Sequence, residues 1–334
     1  IKLLNKSFIN DLYNDLNEKI YVSVKSKIDR IILLSSKYLN DNIDNISNKM
    51  INNNVSQKDI INIKSNINLY LKKHFKVLDK KIKDIYVDVL SNLNIDTINI
   101  RKNIIDVEDI PSLMYIKYKM FGSSEFDNYR HIVIDEAQDY GKFAFFVINK
   151  IFKNSTFSIY GDLAQSLYPY RSIDNWECLE EIFDEILKLN KSYRTTIEIM
   201  NEANKINDLL KLDRAIPVIR HGEEVEYFDG NILNIINRIK DKYKTIAIIT
   251  KEQNEANIIY EELKKYIDIS LINSSNFCYN GSVSVLPSYL SKGLEFDAVI
   301  INGENSFNVD NVLDMKLLYV SKTRALHKLF IEKI

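Results

Sequence analysis

The stretch that decides the fold runs from His131 to Tyr140 and reads HIVIDEAQDY. Its first four residues suit a strand of a parallel sheet that is buried on both faces. Asp135 and Glu136 follow at once, so both carboxylates are predicted at the carboxyl end of that strand. Open α/β sheets bind their ligands at this edge. The stretch therefore predicts an α/β protein with a functional site beside the two acids.

Two adjacent carboxylates in this position suit the chemistry of a nucleotide site. An Asp at a strand end can hold Mg²⁺ through the water shell of the ion. A neighbouring Glu can take a proton from the water molecule that attacks a γ-phosphate. We therefore expect Asp135 to position the metal and Glu136 to act as the general base. The alternative is an acidic loop after a core strand, because isolated Asp-Glu pairs are common.

Four further motifs follow the acid pair in a fixed order. They are GDLAQ at residues 161–165, KSYRTT at 191–196, KGLEFD at 292–297 and LYVSKTRA at 318–325. Each of them alone has a plausible structural explanation. Five motifs in one order make coincidence rarer than about one in a hundred. The motifs are therefore interpreted together.

The series resembles the motifs of superfamily 1A helicases of the UvrD/Rep class. IDEAQD is similar to motif II of that family, and the four later stretches are similar to motifs III, IV, V and VI. The resemblance is strong from about Val107 to the end of the chain and weak before it. It implies two RecA-like lobes of the P-loop NTPase fold, which bind ATP and Mg²⁺ in the intact protein.

The same resemblance implies roles for residues in the later motifs. Gln165 would sense the γ-phosphate, and Arg194 with Arg324 would stabilise charge on the transferred phosphoryl group. Arg324 is the arginine-finger candidate. The residues expected to bind the nucleotide itself are Tyr193, Gly293 and Glu295. Tyr193 would stack on the adenine, and Glu295 would accept hydrogen bonds from the ribose or orient neighbouring donors.

A nucleic-acid contact is expected directly after GDLAQ. Tyr168, Tyr170 and Arg171 occupy the positions at which the family stacks aromatic residues on bases, a contact that tolerates any base sequence. The match is imperfect because Pro169 and Ser172 interrupt the aromatic-Arg-Gly-Ala run that is usual in the family. Without the neighbouring motifs, the tyrosines would be interpreted as ordinary surface or core residues.

Three segments are expected: a helical insertion at 1–106, the C-terminal part of the first lobe at 107–212, and the second lobe at 213–334.

The insertion carries two apolar stripes at helical spacing. They comprise Leu4, Phe8, Leu12, Leu16 and Ile20, and then Ile60, Ile63, Ile67, Leu71, Phe75 and Leu78. Ser56 and Asp59 form a capping-box pattern, and Asn40–Asn48 and Asn52–Asn54 predict loops. The alternation Ile20, Val22, Val24 leaves a strand open as an alternative.

Alternating strands and helices are predicted from Val107 onward. In the first lobe we expect a helix at Val107–Gly122, a strand at Ile132–Ile134, a helix around Phe143–Phe152 and a strand at Thr156–Tyr160. In the second lobe we expect strands at Val225–Phe228, Thr245–Thr250, Ile267–Ile272, Val283–Pro287, Ala298–Asn302 and Leu329–Ile331, with a helix around Glu252–Tyr266.

Composition places the chain among globular proteins. It has 334 residues, 46% of them hydrophobic and 27% charged, and a net charge of -1. Residues 1–110 carry a net charge of +4 and the remainder -5, so neither part is basic enough for a tight nonspecific DNA binder. The two cysteines and four histidines are too scattered for a metal cluster. With no apolar run near 18 residues, we expect a cytoplasmic protein without a membrane partner.

Spacing favours one branch of the family. Only 97 residues separate Arg194 from Lys292, whereas UvrD and Rep insert a large domain there. Together with the LPSYLS lead-in at 286–291, this spacing resembles the HelD (helicase IV) group, whose members act on bacterial RNA polymerase. DNA and RNA polymerase are therefore both retained as expected partners. The segment 1–106 is interpreted as structural or as a partner-binding arm.

One motif of the family is missing from the sequence. No Gly-x-x-x-x-Gly-Lys-Ser/Thr, the loop that holds the β- and γ-phosphates, occurs in the 334 residues. We therefore expect the first lobe to be incomplete and the chain to be the C-terminal part of a longer motor. We also expect the chain alone not to turn over ATP.

Overall fold

The computed structural model describes residues 4, 6–17, 23–74, 81–218, 220–275 and 282–333. The chain divides into two compact units. The first comprises Ile1–Ile132 with Phe143–Thr156, and the second comprises Val133–Lys142 with Phe157–Ile334. The acid pair and the four later motifs therefore belong to the second unit.

The first unit is mainly helical in its described residues. Its helices are α1 Lys6–Asn17, α2 Val24–Asp41, α3 Ile43–Asn52, α4 Gln57–Ser65, α5 Ile67–His74, α6 Ile82–Asn92, α7 Ile98–Arg101 and α8 Ile110–Phe121, followed by α9 Lys142–Ile151, which begins at the unit boundary. Helix α8 has Pro111 in its first turn and ends at Gly122, whose φ of 82° suits glycine. This agrees with the predicted helix at Val107–Gly122, apart from a short 3₁₀ turn at Val107–Asp109.

The second apolar stripe contributes to the core of the first unit, as predicted: Ile60, Ile67 and Leu71 are buried, and the last two pack with Ile32 and Leu39 of α2. The described residues of the first stripe, Leu4, Phe8, Leu12 and Leu16, are only half-buried. The second stripe is divided between two helices, because helix α4 ends at Ser65 and helix α5 begins after Asn66. Phe75 and Leu78 of that stripe, and Ile20 of the first one, lie outside the described residues.

Local signals before Val107 were partly right. The Ser56 hydroxyl accepts the Asp59 N–H at 3.1 Å and donates to the Asp59 carboxylate at 2.7 Å, so the predicted cap forms. The predicted loop at Asn40–Asn48 is wrong, since only Asn42 separates α2 from α3. The predicted turn near Asn54 is present, with φ of 60° at that residue. The strand alternative is wrong at Val24, which begins α2; Ile20 and Val22 lie outside the described residues.

Strands β1 His131–Ile134 and β2 Thr156–Ile159 form a two-stranded sheet. The N–H of Thr156 donates to the carbonyl of Arg130, and that of Tyr160 to the carbonyl of Ile134. The constant offset between partners makes the strands parallel. Both predicted strands are confirmed, and helix α9 confirms the predicted helix between them.

The second unit contains a six-stranded parallel sheet. Its strands are β5 Glu226–Phe228, β6 Ile246–Thr250, β7 Ser270–Leu271, β8 Val283–Pro287, β9 Phe296–Ile301 and β10 Ala325–Glu332, in the order β5-β10-β9-β6-β8-β7. A separate parallel pair consists of β3 Lys191–Ser192 and β4 Ile216–Pro217. The helices are α10 Ile197–Leu210, α11 Ile232–Ile239, α12 Gln253–Leu263 and α13 Val312–Lys322. All six strands predicted for the second lobe occur.

Two strand lengths were predicted wrongly. Strand β7 is shorter than the predicted Ile267–Ile272. Strand β10 is longer than the predicted Leu329–Ile331, since it begins at Ala325. Its first half contains His327 and Lys328, and polar residues are not expected in a buried strand. Lys328 is nevertheless buried, with its ammonium group 2.7 Å from the carbonyl oxygen of Glu224.

Helices cover both faces of the six-stranded sheet. On one face Ala247 and Ile249 of β6 join the core with residues of α10 and α13. On the other face Ile246 and Ile248 join residues of α11 and α12. Each fully buried Ile stabilises the fold by roughly 1.5–3 kcal/mol. The three-layer arrangement confirms the α/β class.

The sheet also places two motifs side by side. Strands β9 and β10 are parallel neighbours, and Ala325 pairs with Phe296 at their first residues. Glu295 directly precedes β9, and Arg324 directly precedes β10. Parallel pairing therefore brings these two site candidates to the same edge of the sheet.

Candidate functional site

The two acids follow β1 in a strained turn. Glu136 has φ of 52°, in the left-handed region that non-glycine residues rarely adopt. Its N–H donates to Oδ1 of Asp135 at 2.8 Å, which holds the turn. Strained backbone of this kind costs about 1–3 kcal/mol and concentrates at functional sites. The turn therefore supports the interpretation of the acid pair as more than an acidic loop.

Gln138 is a site residue that the sequence analysis missed. It is fully buried, and its Nε2 donates to Oε2 of Glu136 at 2.6 Å. Its Oε1 accepts the backbone N–H of Asp162 at 3.0 Å. Gln138 thus ties the candidate base to the GDLAQ motif.

The GDLAQ motif is held against Arg324. Oδ1 of Asp162 accepts a hydrogen bond from the Ala164 N–H at 2.9 Å. Oδ2 of Asp162 accepts one from Nε2 of Gln165 at 2.8 Å. Oε1 of Gln165 accepts a hydrogen bond from Nη2 of Arg324 at 3.2 Å. The structure therefore brings together two of the predicted site residues, Gln165 and Arg324, although 159 positions separate them.

Arg324 is buried, with only 2% of its surface exposed. Its Nε donates to the carbonyl of Val320 at 3.0 Å and its Nη1 to that of Leu294 at 3.3 Å. Burial and the nearby Arg194 lower the pKa of Arg324 to about 10, while the charges of Glu295 and Glu136 oppose the decrease. The guanidinium group remains charged at neutral pH, so it can bind an anion.

Lys292 is a second residue that was quoted within a motif but not assigned to the site. Its ammonium group lies 2.7 Å from Oδ2 of Asp139, 3.1 Å from Oε2 of Glu136 and 3.1 Å from the carbonyl oxygen of Gln165. Burial alone would raise the pKa of Glu136, but hydrogen bonds from Gln138 and Lys292 outweigh burial and lower it. Glu136 is therefore ionised at neutral pH, as a general base must be.

The motif IV arginine pairs with motif V. Nε of Arg194 lies 2.9 Å from Oε1 of Glu295, and both side chains are about half exposed. Gly293 has φ of 80°, a conformation that favours glycine, and a Cβ atom placed on it would meet no atom within 4 Å. Tyr193 is 58% exposed, which leaves a ring face accessible to a base.

The aromatic residues after GDLAQ contact one another. The guanidinium carbon of Arg171 lies 3.9 Å from the ring centre of Tyr168, a cation–π stack. Tyr168 also meets Tyr170 edge to face at 6.4 Å between ring centres. Tyr170 is 73% exposed, so it is the ring of this group with most surface free for stacking.

The donor set fits ATP and Mg²⁺. Asp135 is exposed and supplies hard carboxylate oxygens, the ligand type that Mg²⁺ prefers. Arg194, Arg324 and Lys292 supply cationic donors that suit a polyphosphate. Among the described residues, no group of three or more His, Cys, Asp and Glu side chains could hold a metal ion by itself. Cys178 is a free thiol, and Cys278 lies outside the described residues.

Within the described ranges, no helix combines the length and apolar character that crossing a membrane requires.

Two family models match the chain. Residues 5–182 match the UvrD/REP helicase N-terminal domain, and residues 282–331 match the UvrD-like helicase C-terminal domain. The first match begins well upstream of motif II. The family likeness therefore includes helical residues in which the sequence analysis found no motif.

Known proteins similar to the chain include two helicases and one solved domain. The chain is 23% identical over 247 residues to the ATP-dependent DNA helicase Rep of Buchnera aphidicola subsp. Acyrthosiphon pisum, which covers 67% of this chain and 37% of that protein. It is 37% identical over 84 residues to the ATP-dependent DNA helicase srs2 of Schizosaccharomyces pombe, covering 24% of this chain and 10% of that protein. It is 30% identical to the C-terminal domain of a possible DNA helicase from Lactobacillus plantarum WCFS1, covering 43% of this chain and 88% of that one, with a TM-score of 0.35. The chain thus spans between 33% and 37% of the length of the Rep helicases that it matches.

Proposed function

The chain belongs to the UvrD/Rep helicase family, and from this premise we propose that it is the part of an ATP-dependent DNA helicase or translocase that carries motifs II to VI. The observation that supports this proposal best is the contact of Arg324 with Gln165, beside Glu136 and Lys292. Residues from four motifs meet there, and cationic donors surround a candidate base. We also propose the three-part division at 1–106, 107–212 and 213–334.

In this proposal each residue of the site has one task. Asp135 would hold Mg²⁺ through water, and Glu136 would accept a proton from the attacking water. Arg194 and Arg324 would stabilise charge on the phosphoryl group, and Gln165 would respond to the γ-phosphate. Bound ATP with Mg²⁺ would supply the phosphoryl group and its activating metal. Tyr193 would stack on adenine, and Glu295, near Gly293, would accept a hydrogen bond from the ribose.

Replacement of Arg324 in the intact protein tests this assignment. An arginine finger is typically worth about 10³- to 10⁵-fold in rate, so Arg324→Ala should reduce kcat for ATP hydrolysis by that order. Arg214→Ala is the matched control, because Arg214 pairs with Asp208 on the surface and is 61% exposed. A kcat for Arg324→Ala within a few-fold of the control would contradict the assignment.

We further propose that residues 1–334 alone neither bind ATP tightly nor turn it over. The sequence lacks the loop that would hold the β- and γ-phosphates, which leaves only the donors described above. The chain would then act by itself only as an interaction module. Robust ATP turnover by purified residues 1–334 that Glu136→Gln abolishes would overturn this proposal.

A second candidate is a HelD-type factor that remodels RNA polymerase. It is supported by the span between Arg194 and Lys292, whose described residues form α10 to α12 and β4 to β8 and leave no room for an inserted domain. The extra helices precede motif II instead. The other candidate, a conventional translocase on single-stranded DNA, predicts strong stimulation of ATPase activity by single strands.

Binding to purified bacterial RNA polymerase separates the two candidates. Residues 1–334 and residues 107–334 would be immobilised side by side, after both are shown to be folded. Retention of polymerase by the longer chain only would support a polymerase-binding helical arm. Absence of retention by both, with DNA-stimulated ATPase activity in the intact protein, would favour the DNA translocase.

A further inference from the structure

Helix α9 of the first unit is apolar on two faces. Ala144, Phe145 and Val147 are buried in the core. Phe143 is 46% exposed, and Phe146, three residues further along the helix, is half-buried. A helix that is apolar all round is normally buried on every side. The second face of α9 is therefore apolar but only partly covered.

Helix α8 extends this second face. The ring of Tyr115 meets that of Phe143 edge to face at 5.9 Å between ring centres, and it lies at the same distance from the ring of Phe146. Tyr118 lies 6.3 Å from Tyr115, and both tyrosines are half-buried. We call this group, with two lysines described next, the α8–α9 surface. Its residues are Tyr115, Tyr118, Lys119, Phe143, Phe146 and Lys150.

The α8–α9 surface is positively charged. Helices α8 and α9 each carry two lysines and no acidic residue. Lys117 pairs with Glu125 at 2.9 Å, and Lys142 pairs with a glutamate at 3.2 Å. The other two lysines have no such acid among the residues that the structure describes.

These two lysines lie over aromatic rings of the surface. Nζ of Lys119 is 5.8 Å from the ring centre of Tyr115, and Nζ of Lys150 is 5.4 Å from that of Phe146. A cation at this distance is attracted by the ring. Both ammonium groups are therefore held beside the exposed rings, where an incoming carboxylate can reach them.

The geometry of the rings favours a protein partner over a nucleic acid. A base stacks on an open ring face. Phe143 and Phe146 are nearly parallel, at 17° and 6.1 Å between ring centres, and a lysine lies over Tyr115 and another over Phe146. The rings thus pack on one another and on the lysines, and they offer mainly edges. Aliphatic and aromatic side chains pack well against ring edges.

We propose that the α8–α9 surface binds a segment of a partner protein in which carboxylates alternate with apolar side chains. The apolar side chains pack on the rings around Phe143, and the carboxylates pair with Lys119 and Lys150. Buried aromatic residues supply most of the affinity at protein interfaces. The charges suppress the binding of basic partners. Neither ATP nor the proposed DNA contact at Tyr170 takes part in this interaction.

The test measures binding of a fluorescein-labelled peptide of alternating Asp-Asp and Leu-Phe pairs to residues 1–334 and to the intact protein, by fluorescence anisotropy. Lys119→Glu/Lys150→Glu should raise the Kd roughly 5- to 100-fold, because each exposed ion pair becomes a repulsive pair. The matched control is Lys49→Glu/Lys58→Glu, which makes the same change of charge at exposed positions of α3 and α4. It should leave the Kd within about twofold, because distant exposed charges are screened by salt.

A second variant tests the apolar part of the surface. Phe143→Ser removes an exposed ring and should raise the Kd about tenfold. A peptide in which lysine replaces every aspartate, and one in which serine replaces every leucine and phenylalanine, should both bind more weakly than the original. Circular dichroism shows that each variant is folded, which is expected because the three substituted residues are exposed.

Four outcomes would overturn the proposal. The first is that unmodified residues 1–334 do not bind the acidic peptide, and the second is an equal Kd for the double lysine variant and its control. The third is that the double lysine variant abolishes binding of oligothymidine but not of the peptide, which would make the surface a nucleic-acid site. The fourth is that residues 1–334 bind the peptide and the intact protein does not, which would show that the rest of the protein covers this face.

Discussion

The ammonium group of Lys322 lies 3.0 Å from Oε1 of Glu202, and the two side chains are only 3% and 7% exposed. Glu304 approaches the same ammonium group at 2.6 Å. Glu202 belongs to α10, which begins three residues after Arg194, and Lys322 ends α13 two residues before Arg324. This buried ion pair therefore joins α10, which follows Arg194 in the chain, to α13, which precedes Arg324.

Lys322→Met should be strongly destabilising. Methionine has a similar length but leaves Glu202 and Glu304 without their shared cation, and loss of one partner from a buried pair costs about 3–5 kcal/mol. The control is Lys205→Met, because Lys205 contacts the same Glu202 at 2.5 Å but is 63% exposed. An exposed partner contributes about 0–1 kcal/mol. Urea unfolding of both variants measures the difference, and equal losses would contradict the role of the buried pair.

Glu198 should make stability depend on pH. Burial would raise its pKa, but hydrogen bonds from His221 and the Gly222 N–H outweigh burial and lower the pKa from 4.5 to about 2. A folded-state pKa below the ordinary value stabilises the fold above that ordinary value, and this contribution is lost as pH falls from about 4.5 toward 2. Glu198→Gln should flatten the dependence of unfolding free energy on pH in this window. If the unfolding free energy of Glu198→Gln, measured by urea titration, depends on pH as steeply as that of the unmodified protein, the lowered pKa of Glu198 would be contradicted.

Gly161→Ala should disturb the site without introducing a charge. The new methyl group would overlap Gln138 and Trp176, as the 2.6 Å and 2.7 Å separations require. Overpacking of this kind typically costs about 1–3 kcal/mol. Trp176→Leu should recover part of that loss, since it removes one of the two overlapping groups. Thermal unfolding of the single and double variants checks this, and a fully stable Gly161→Ala would show that the turn has space to relax.

Tyr170 should contribute more to single-stranded DNA binding than Tyr168. Stacking of one base on an aromatic ring is worth about 1–3 kcal/mol, so Tyr170→Ala should weaken binding of an oligothymidine roughly 5- to 150-fold. Tyr168→Ala should have a smaller effect, because Arg171 already covers one face of that ring. Tyr266, which is 70% exposed in the same unit, provides the control substitution. Fluorescence anisotropy measures all three, and equal affinities for Tyr170→Ala and Tyr266→Ala would contradict the proposed contact.

Local signals predicted most of the elements correctly. Strand β8 matches its predicted bounds, Val283–Pro287. The helix at α8 was predicted from Pro111 and Gly122, which act within one or two turns. Errors arose where composition misled the interpretation. Asparagine suggested loops at 40–48, although packing of neighbouring apolar residues keeps α2 and α3 helical.

The sequence by itself determined the fold class and the family, since both depend on short patterns and their order along the chain. It also proposed Gln165 and Arg324 as site candidates, because each lies in a contiguous motif. Only the tertiary structure showed that Gln138 contacts Asp162 and that Lys292 contacts Glu136. Lys292 meets Asp139 across 153 positions of sequence, a proximity that chain folding creates and no local pattern encodes. The contact of Arg324 with Gln165 was likewise decided in three dimensions, because 159 positions of sequence separate the two residues.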